Sequence, residues 1–368
     1  MSIRTSIRNA LLIATALAPL HAALAEADSQ VTLYGRLNVA LEAVGSSGAP
    51  VNRDVKRESN NRSVLGFRGI ENLGDGYQAL FQIEGALSVD TGAATSFANR
   101  DTRVGLSTPW GLVFLGHWST PYLLATSGFD PFYPTTAGYM SLMANGSAAT
   151  ANNISDRSSF DRRQQNSVHY WTPSWQGFSG RAAYAFNEGE VGPRGSSPRL
   201  WSASLNYDEG PWNLALAREE HRDYQGPGLN DSGTKLGVAY RFGDWRLAGA
   251  VEQLNYETLA GHLKRDSFYL SATWQLGSGS VRMAYTRAGQ GKGPAGAKVG
   301  FIAAGSGTGS SQWTVGYDYS LSKRTGLYAY ASRIDNQARA AYDFAINGLG
   351  AGAGERPHIV ATGIRHNF

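Results

Sequence analysis

The chain has no cysteine among its 368 residues. No disulfide can therefore staple it, and it holds neither a thiol nucleophile nor a Cys-ligated zinc site. Beyond residue 27 it also lacks any run of about 18 apolar residues, the length a helix needs to cross a bilayer, which excludes a helical membrane protein. Charge of one sign is not in excess either. Once Arg4 and Arg8 are set aside, 31 of the 33 basic residues stand against 29 acidic ones, and nucleic-acid binding needs a more concentrated basic face. Catalytic motifs are missing as well. The 7 histidines are scattered, and there is no H-E-x-x-H and no G-x-S-x-G ahead of a helix. The glycine strings at 305–311 and 348–354 lack the strand-to-helix setting of a phosphate cradle. No metal, cofactor or enzymatic activity is expected.

Glycine is what the chain has in plenty, at 45 residues, well above the usual roughly 7%. The first 27 residues place Arg4 and Arg8 ahead of an apolar run from Ala10 to Ala18. They close on two A-x-A sites, so a signal peptide is expected over 1–25, cleaved after Ala25 or Ala27, with 26–368 folding as one domain. The remainder of the chain alternates. In "VTLYGRLNVALEA" Val31, Leu33, Gly35, Leu37, Val39 and Leu41 share one face, and Thr32, Tyr34, Arg36, Asn38, Ala40 and Glu42 the other. A period of two over about a dozen residues exceeds the five or six of an average soluble strand, and is long enough to cross a bilayer at a tilt.

The same pattern recurs at 63–69, 77–89, 100–107, 111–118, 164–171, 177–186, 199–207, 212–221, 234–242, 245–256, 265–276, 280–287, 312–320, 325–334 and 358–368, giving sixteen strands. Short turns alternate with long Gly-rich loops, notably 45–62, 119–161, 290–310 and 335–356. With the long class first and last, both termini fall on the short-turn side. This is the layout of an all-β, 16-stranded antiparallel transmembrane β-barrel with short periplasmic turns and long external loops, since closure leaves no unpaired edge in lipid. Trp110, Trp175, Trp212, Trp245 and Trp274 all lie near short turns, where one aromatic girdle belongs. A barrel enzyme and a secreted β-sandwich adhesin are the competing readings. The first would need a Ser/His or Asp/His cluster at one rim; the second would not need the loop asymmetry.

Several segments resemble the general porins of Gram-negative outer membranes, most closely the beta-proteobacterial branch. They are "SQVTLYGRLNVALE", "SVLGFRGIENLGDGYQALFQIE", "RDTRVGLSTPWGLVFLG", "NSVHYWTPSWQGFSG" and the terminal "GIRHNF", in family order across the chain. The resemblance implies an outer-membrane homotrimer surrounded by lipid and lipopolysaccharide, passive diffusion of small hydrophilic solutes and ions, and a third external loop folded into the lumen. A substrate-specific porin is the alternative within the class. The stretch 119–161 fits such a loop: Leu123, Phe129, Phe132, Tyr133, Tyr139 and Met140 are too much apolar surface to leave in water.

Parity turns Arg36, Arg68 and Arg103 away from the apolar face, because arginine in lipid costs about 2–4 kcal/mol at mid-bilayer. Matched motif by motif, the resemblance implies a basic constriction wall of Arg36, Arg68, Arg103 and Arg163, with Arg162 as a further member. Asp130 in "GFDPFYP" is the expected facing acid, followed by Asp156 and Asp161; the family's Pro-Glu-Phe-Gly type tip is absent. His117 stands where the family frequently has Arg. Gln82 and Glu84 on the third strand complete the lining. Four arginines against one or two acids suggest mild anion preference. The last strand runs its apolar parity through Ile364 and His366 to Phe368, and the resemblance makes this the mark read by the outer-membrane assembly machinery.

Overall fold

The computed structural model describes residues 30–48, 54–93, 96–151, 154 and 156–368. The expected signal peptide, 1–25, and its cleavage sites lie outside them. Sixteen strands build the wall: β1 Gln30–Ser47, β2 Val64–Gly74, β3 Tyr77–Ala86, β4 Thr102–Thr108, β5 Gly111–Ser119, β6 Asp161–Trp171, β7 Phe178–Ala185 and β8 Arg199–Glu209, followed by β9 Trp212–Arg222, β10 Asn230–Phe242, β11 Trp245–Thr258, β12 Gly261–Leu276, β13 Gly279–Ala288, β14 Ser310–Ser320, β15 Thr325–Asn336 and β16 Arg356–Asn367. Each pairs antiparallel with its sequence neighbours, and β16 returns to β1 from Arg36↔Asn367 to Ser47↔Arg356. The sheet is thereby closed.

Alternation along each strand decides which side chains meet the lumen. On β10, Lys235 is fully buried inside while the next residue, Leu236, is 53% exposed outside. Val31, Leu33, Leu41, Val104 and Leu106 are likewise exposed on the outer face. A continuous apolar exterior of this kind is stable only against lipid. Near the short turns it gives way to exposed rings: Trp110, Trp175, Trp212, Trp274 and Phe368. Trp245 and Trp274 stack there with centroids 5.2 Å apart.

The wall extends further on the long-loop side than alternation alone reveals. Residues Val55–Asn60 pair with the upper half of β1, and β2 with its lower half, so the second wall strand is one path broken at 61–63. At the break Arg62 takes a left-handed φ of 58°. Asn61 N bonds to Asn38 O, and Asn38 N to Ser63 Oγ, so the gap is held by β1. β6 begins at Asp161, three residues before the alternation becomes visible.

Candidate functional site: a loop-constricted lumen

The long connection from β5 to β6 enters the barrel. It opens with a short helix, Pro121–Thr126, whose N-cap Thr120 accepts from Leu123 N; Pro121 suits the first turn because that position needs no N–H. From there the chain crosses the interior and is tied to one wall strand after another. Tyr122 N donates to Ser202 Oγ on β8, Ser271 Oγ on β12 to Phe129 O, and Gln312 Nε2 on β14 to Ala137 O. Arg282 on β13 donates to Pro131 O. Thr136 Oγ1 reaches Glu42 Oε1 on β1 at 2.7 Å. Phe129, Phe132, Tyr139, Met140 and Leu142 are buried between loop and wall, so burial of apolar surface and a series of wall hydrogen bonds hold the loop inward.

Against the loop packs an ionic cluster from β6, β10, β11 and β12. Lys235 Nζ sits 3.2 Å from Asp161 Oδ1 and 3.8 Å from Glu252 Oε2, while Arg265 Nη2 reaches Glu252 Oε1 at 3.1 Å. Glu252 also accepts from Tyr122 OH and from Ala144 N, both on the loop. Buried charges persist only when paired and hydrogen-bonded, and here the pairing fastens the loop to the wall.

Across the remaining lumen stands a group of arginines. Arg36 Nη2 donates to Arg62 O at 2.9 Å, and Arg62 donates to Tyr133 OH and Ser147 Oγ of the loop, at 3.1 and 2.7 Å. Arg62 lies within electrostatic range of Arg100 and Arg163. Arg100 Nε pairs with Glu84 at 2.8 Å, and Arg163 Nε with Asp101 at 2.7 Å. Lower on the wall, Arg68, Gln82 and Arg103 occupy one cross-strand row of β2, β3 and β4. Arg68 stacks over Tyr34, and Gln82 Nε2 donates to Asp101 O.

Arg36, Arg68, Arg103 and Gln82 thus stand on one side of the barrel interior, with Arg163 and Glu84 buried on the same side in ion pairs. The other expected members sit elsewhere. Arg162 is buried behind the loop, with Nε on Gln164 Oε1 and its guanidinium over Tyr224. Asp161 belongs to the Lys235 cluster, and Asp156 accepts from Arg162 Nη1 at its carbonyl, with its carboxylate in electrostatic range of the same guanidinium. Asp130 does not face the arginines. Its carboxylate accepts Phe132 N, Tyr139 N and Tyr269 OH on the far wall, and burial pushes its carboxyl up to about 6 against those bonds. His117 shares the outward parity of Val113 and Leu115. Sequence reasoning missed Arg62, which lies outside any regular strand, and also Arg100 and Asp101, although the alternating stretch 100–107 contains both; in the structure the strand starts only at Thr102. It also missed Lys235, Glu252 and Arg265, although these sit on the inward parity opposite Leu236, Val251 and their neighbours.

A closed sixteen-stranded barrel with a loop-narrowed, arginine-lined lumen can be compared with known proteins. Residues 13–339 match the family model described as Gram-negative porin. The chain belongs to the Gram-negative porin family. This porin is 31% identical over 363 residues to outer membrane porin protein 32 of Delftia acidovorans, covering 94% of this chain and 95% of the relative. It is 26% identical to an outer membrane porin protein of Bordetella pertussis, covering 97% of this chain and 99% of that relative. Among solved structures it is similar to the anion-selective porin from Comamonas acidovorans, with a TM-score of 0.76 and 28% identity over 93% of this chain and all of that one. OmpF of Salmonella typhi shares the fold, with a TM-score of 0.61. The protein is accordingly an outer-membrane porin, a channel and not an enzyme.

Proposed function

We propose that the porin is a water-filled diffusion channel for small hydrophilic solutes and ions, with a mild preference for anions. One observation carries the preference. Arg36, Arg62, Arg68, Arg100, Arg103 and Arg163 gather on one side of the lumen, and the acids among them, Glu84 and Asp101, are already taken up by Arg100 and Arg163. Fixed charge of one sign in a narrow aqueous pore enriches the counter-ion there. Screening over about 8 Å at physiological ionic strength keeps that enrichment moderate. The related Comamonas protein is described as anion-selective, which supports the same sign. Reversal potentials of the purified protein in a KCl gradient test it: a potential of anion sign is expected, and a strongly cation-selective channel overturns the proposal.

The same reading extends to assembly. The porin works as a homotrimer with its long loops outside and its termini in the periplasm, set in outer-membrane lipid and lipopolysaccharide. Its signal peptide is removed after Ala25 or Ala27. The outward parity of β16, Ile364, His366 and Phe368, presents a seam that the assembly machinery reads. Conductance steps in groups of three support the trimer, and single independent steps with no larger species on cross-linking refute it.

A further inference from the structure

Arginines on one lumen wall make two kinds of contact. Arg100 and Arg163 each hold a carboxylate. Arg103 and Arg181 hold rings instead. The Arg103 guanidinium carbon lies 4.7 Å from the Phe114 centroid, 4.2 Å from Trp118 and 5.5 Å from Trp171. Arg181, cross-strand partner of Trp171, stacks over the same indole at 4.9 Å. Phe114 is fixed in turn by His169, stacked on it at 4.6 Å. Among the described residues Arg103 Nε, Arg103 Nη1 and Trp171 Nε1 are buried donors with no acceptor. Arg103 Nη2 is not one of these buried atoms, and Arg103, Trp171 and Arg181 are each part-exposed. On their strands all three have the lumen parity, opposite Val104, Tyr170 and Tyr184.

We propose that Arg103, Trp171 and Arg181 form a binding station for aromatic carboxylates on the short-turn side of the constriction, a reading that rests on the channel function above. Packing alone does not explain the group, since aliphatic side chains would fill this wall without leaving buried donors unmet. A carboxylate reaches this arginine through Nη2, the donor outside the buried set. One oxygen meets Nη2 in a charge-assisted hydrogen bond, while the buried Nε and Nη1 stay packed among the rings and contribute only the positive charge of the guanidinium. The ring carried by that carboxylate then lies beside the exposed part of the indole and the Arg181 guanidinium, both flat and π-compatible. An inorganic anion uses only the Nη2 contact, and an uncharged ring only the flat surfaces. A solute with both should dwell.

The test is current block in planar bilayers. Benzoate, acetate and phenol are added in turn to the purified porin in KCl, and each variant is scored by the ratio of half-blocking concentrations within its own channel. Benzoate should give saturable interruptions at about a tenfold lower concentration than acetate or phenol, a difference of about 1.4 kcal/mol. Arg103→Gln should bring benzoate level with phenol, and Trp171→Leu level with acetate. Trp171→Phe, which keeps a ring and guards against misfolding of the Leu variant, should retain part of the discrimination. In detergent, benzoate should also quench tryptophan fluorescence of the wild type saturably and of Trp171→Phe less. Equal block by acetate and benzoate, or a benzoate ratio unmoved by Trp171→Leu and Trp171→Phe, overturns the station while leaving the channel intact. Absence of any step in KCl overturns both.

Discussion

Arg163 and Asp130 show how far a side chain's role depends on what surrounds it. Arg163 has lumen acids beside it, and Asp101 spends its charge there at 2.7 Å. In Asp101→Asn the amide oxygen can keep the hydrogen bond while the neutralising charge disappears. A unit charge at 4 Å is worth about 1 kcal/mol in water, so the anion-to-cation permeability ratio should rise severalfold, read from reversal potentials; an unchanged ratio would place the pair off the ion path. Asp130 has its pKa raised from 3.8 to about 6, chiefly by burial. The folded loop therefore binds this proton more readily than the unfolded chain does. The resulting stability is complete below pH of about 4 and is lost as pH rises through about 6. Thermal unfolding followed by circular dichroism should show this acid-side gain in the wild type and a flatter profile in Asp130→Asn. A steeper profile in the variant would contradict the assignment.

The strands and the loop are stabilised by different means, and they were not equally legible in the sequence. All sixteen wall strands could be read because lipid outside and water inside impose a period of two, and this survives wherever both solvents are present. Their long-loop ends could not, because outside the membrane both faces are polar; Val55–Asn60 and the start of β6 are the parts that escaped. The loop's inward fold could be inferred from its apolar content. Its fastenings could not, since Tyr122 meets Glu252 and Phe129 meets Ser271 across more than a hundred residues with no period to mark them. Glu252 is the decisive fastening: it touches Tyr122, Ala144 and Arg265, with Lys235 close by. Glu252→Gln takes the carboxylate from buried Arg265 and leaves Lys235 with Asp161, and a buried pair that loses one member costs about 3–5 kcal/mol. That cost should fall on the loop, because the hydrogen-bond ladder of the wall does not pass through it. Expected are a noisier and larger unitary conductance with little change in the unfolding temperature. A quiet channel of normal conductance in a barrel that melts early would show that the cluster serves the wall instead.

At the scale of the whole molecule, closure depends on a seam where β16 meets β1. Phe368 N and O both bond to Gly35 at 3.1 Å, extending the ladder to the last residue. The Phe368 ring lies over the outer face of Gly35, where a Cβ would stand 2.4 Å from Phe368 Cζ and 2.7 Å from Val64 O. His366, next on the same parity, is exposed and shares a 2.9 Å hydrogen bond with Thr325. Glycine is thus required at position 35 by two neighbours of different stiffness. The ring can swing toward lipid, but the Val64 carbonyl belongs to β2 and moves only if the β1–β2 ladder opens. Gly35→Ala should lower the yield of heat-resistant, protease-resistant barrel on refolding into detergent, in line with the roughly 1–3 kcal/mol of overpacking. Adding Phe368→Ala removes the ring and leaves the carbonyl, so the double variant should regain only part of the yield. Full recovery would mean that the ring alone excludes a side chain from Gly35. No recovery at all would mean that the backbone of β2 sets the seam, and that Phe368 contributes to closure through its main chain and not its ring.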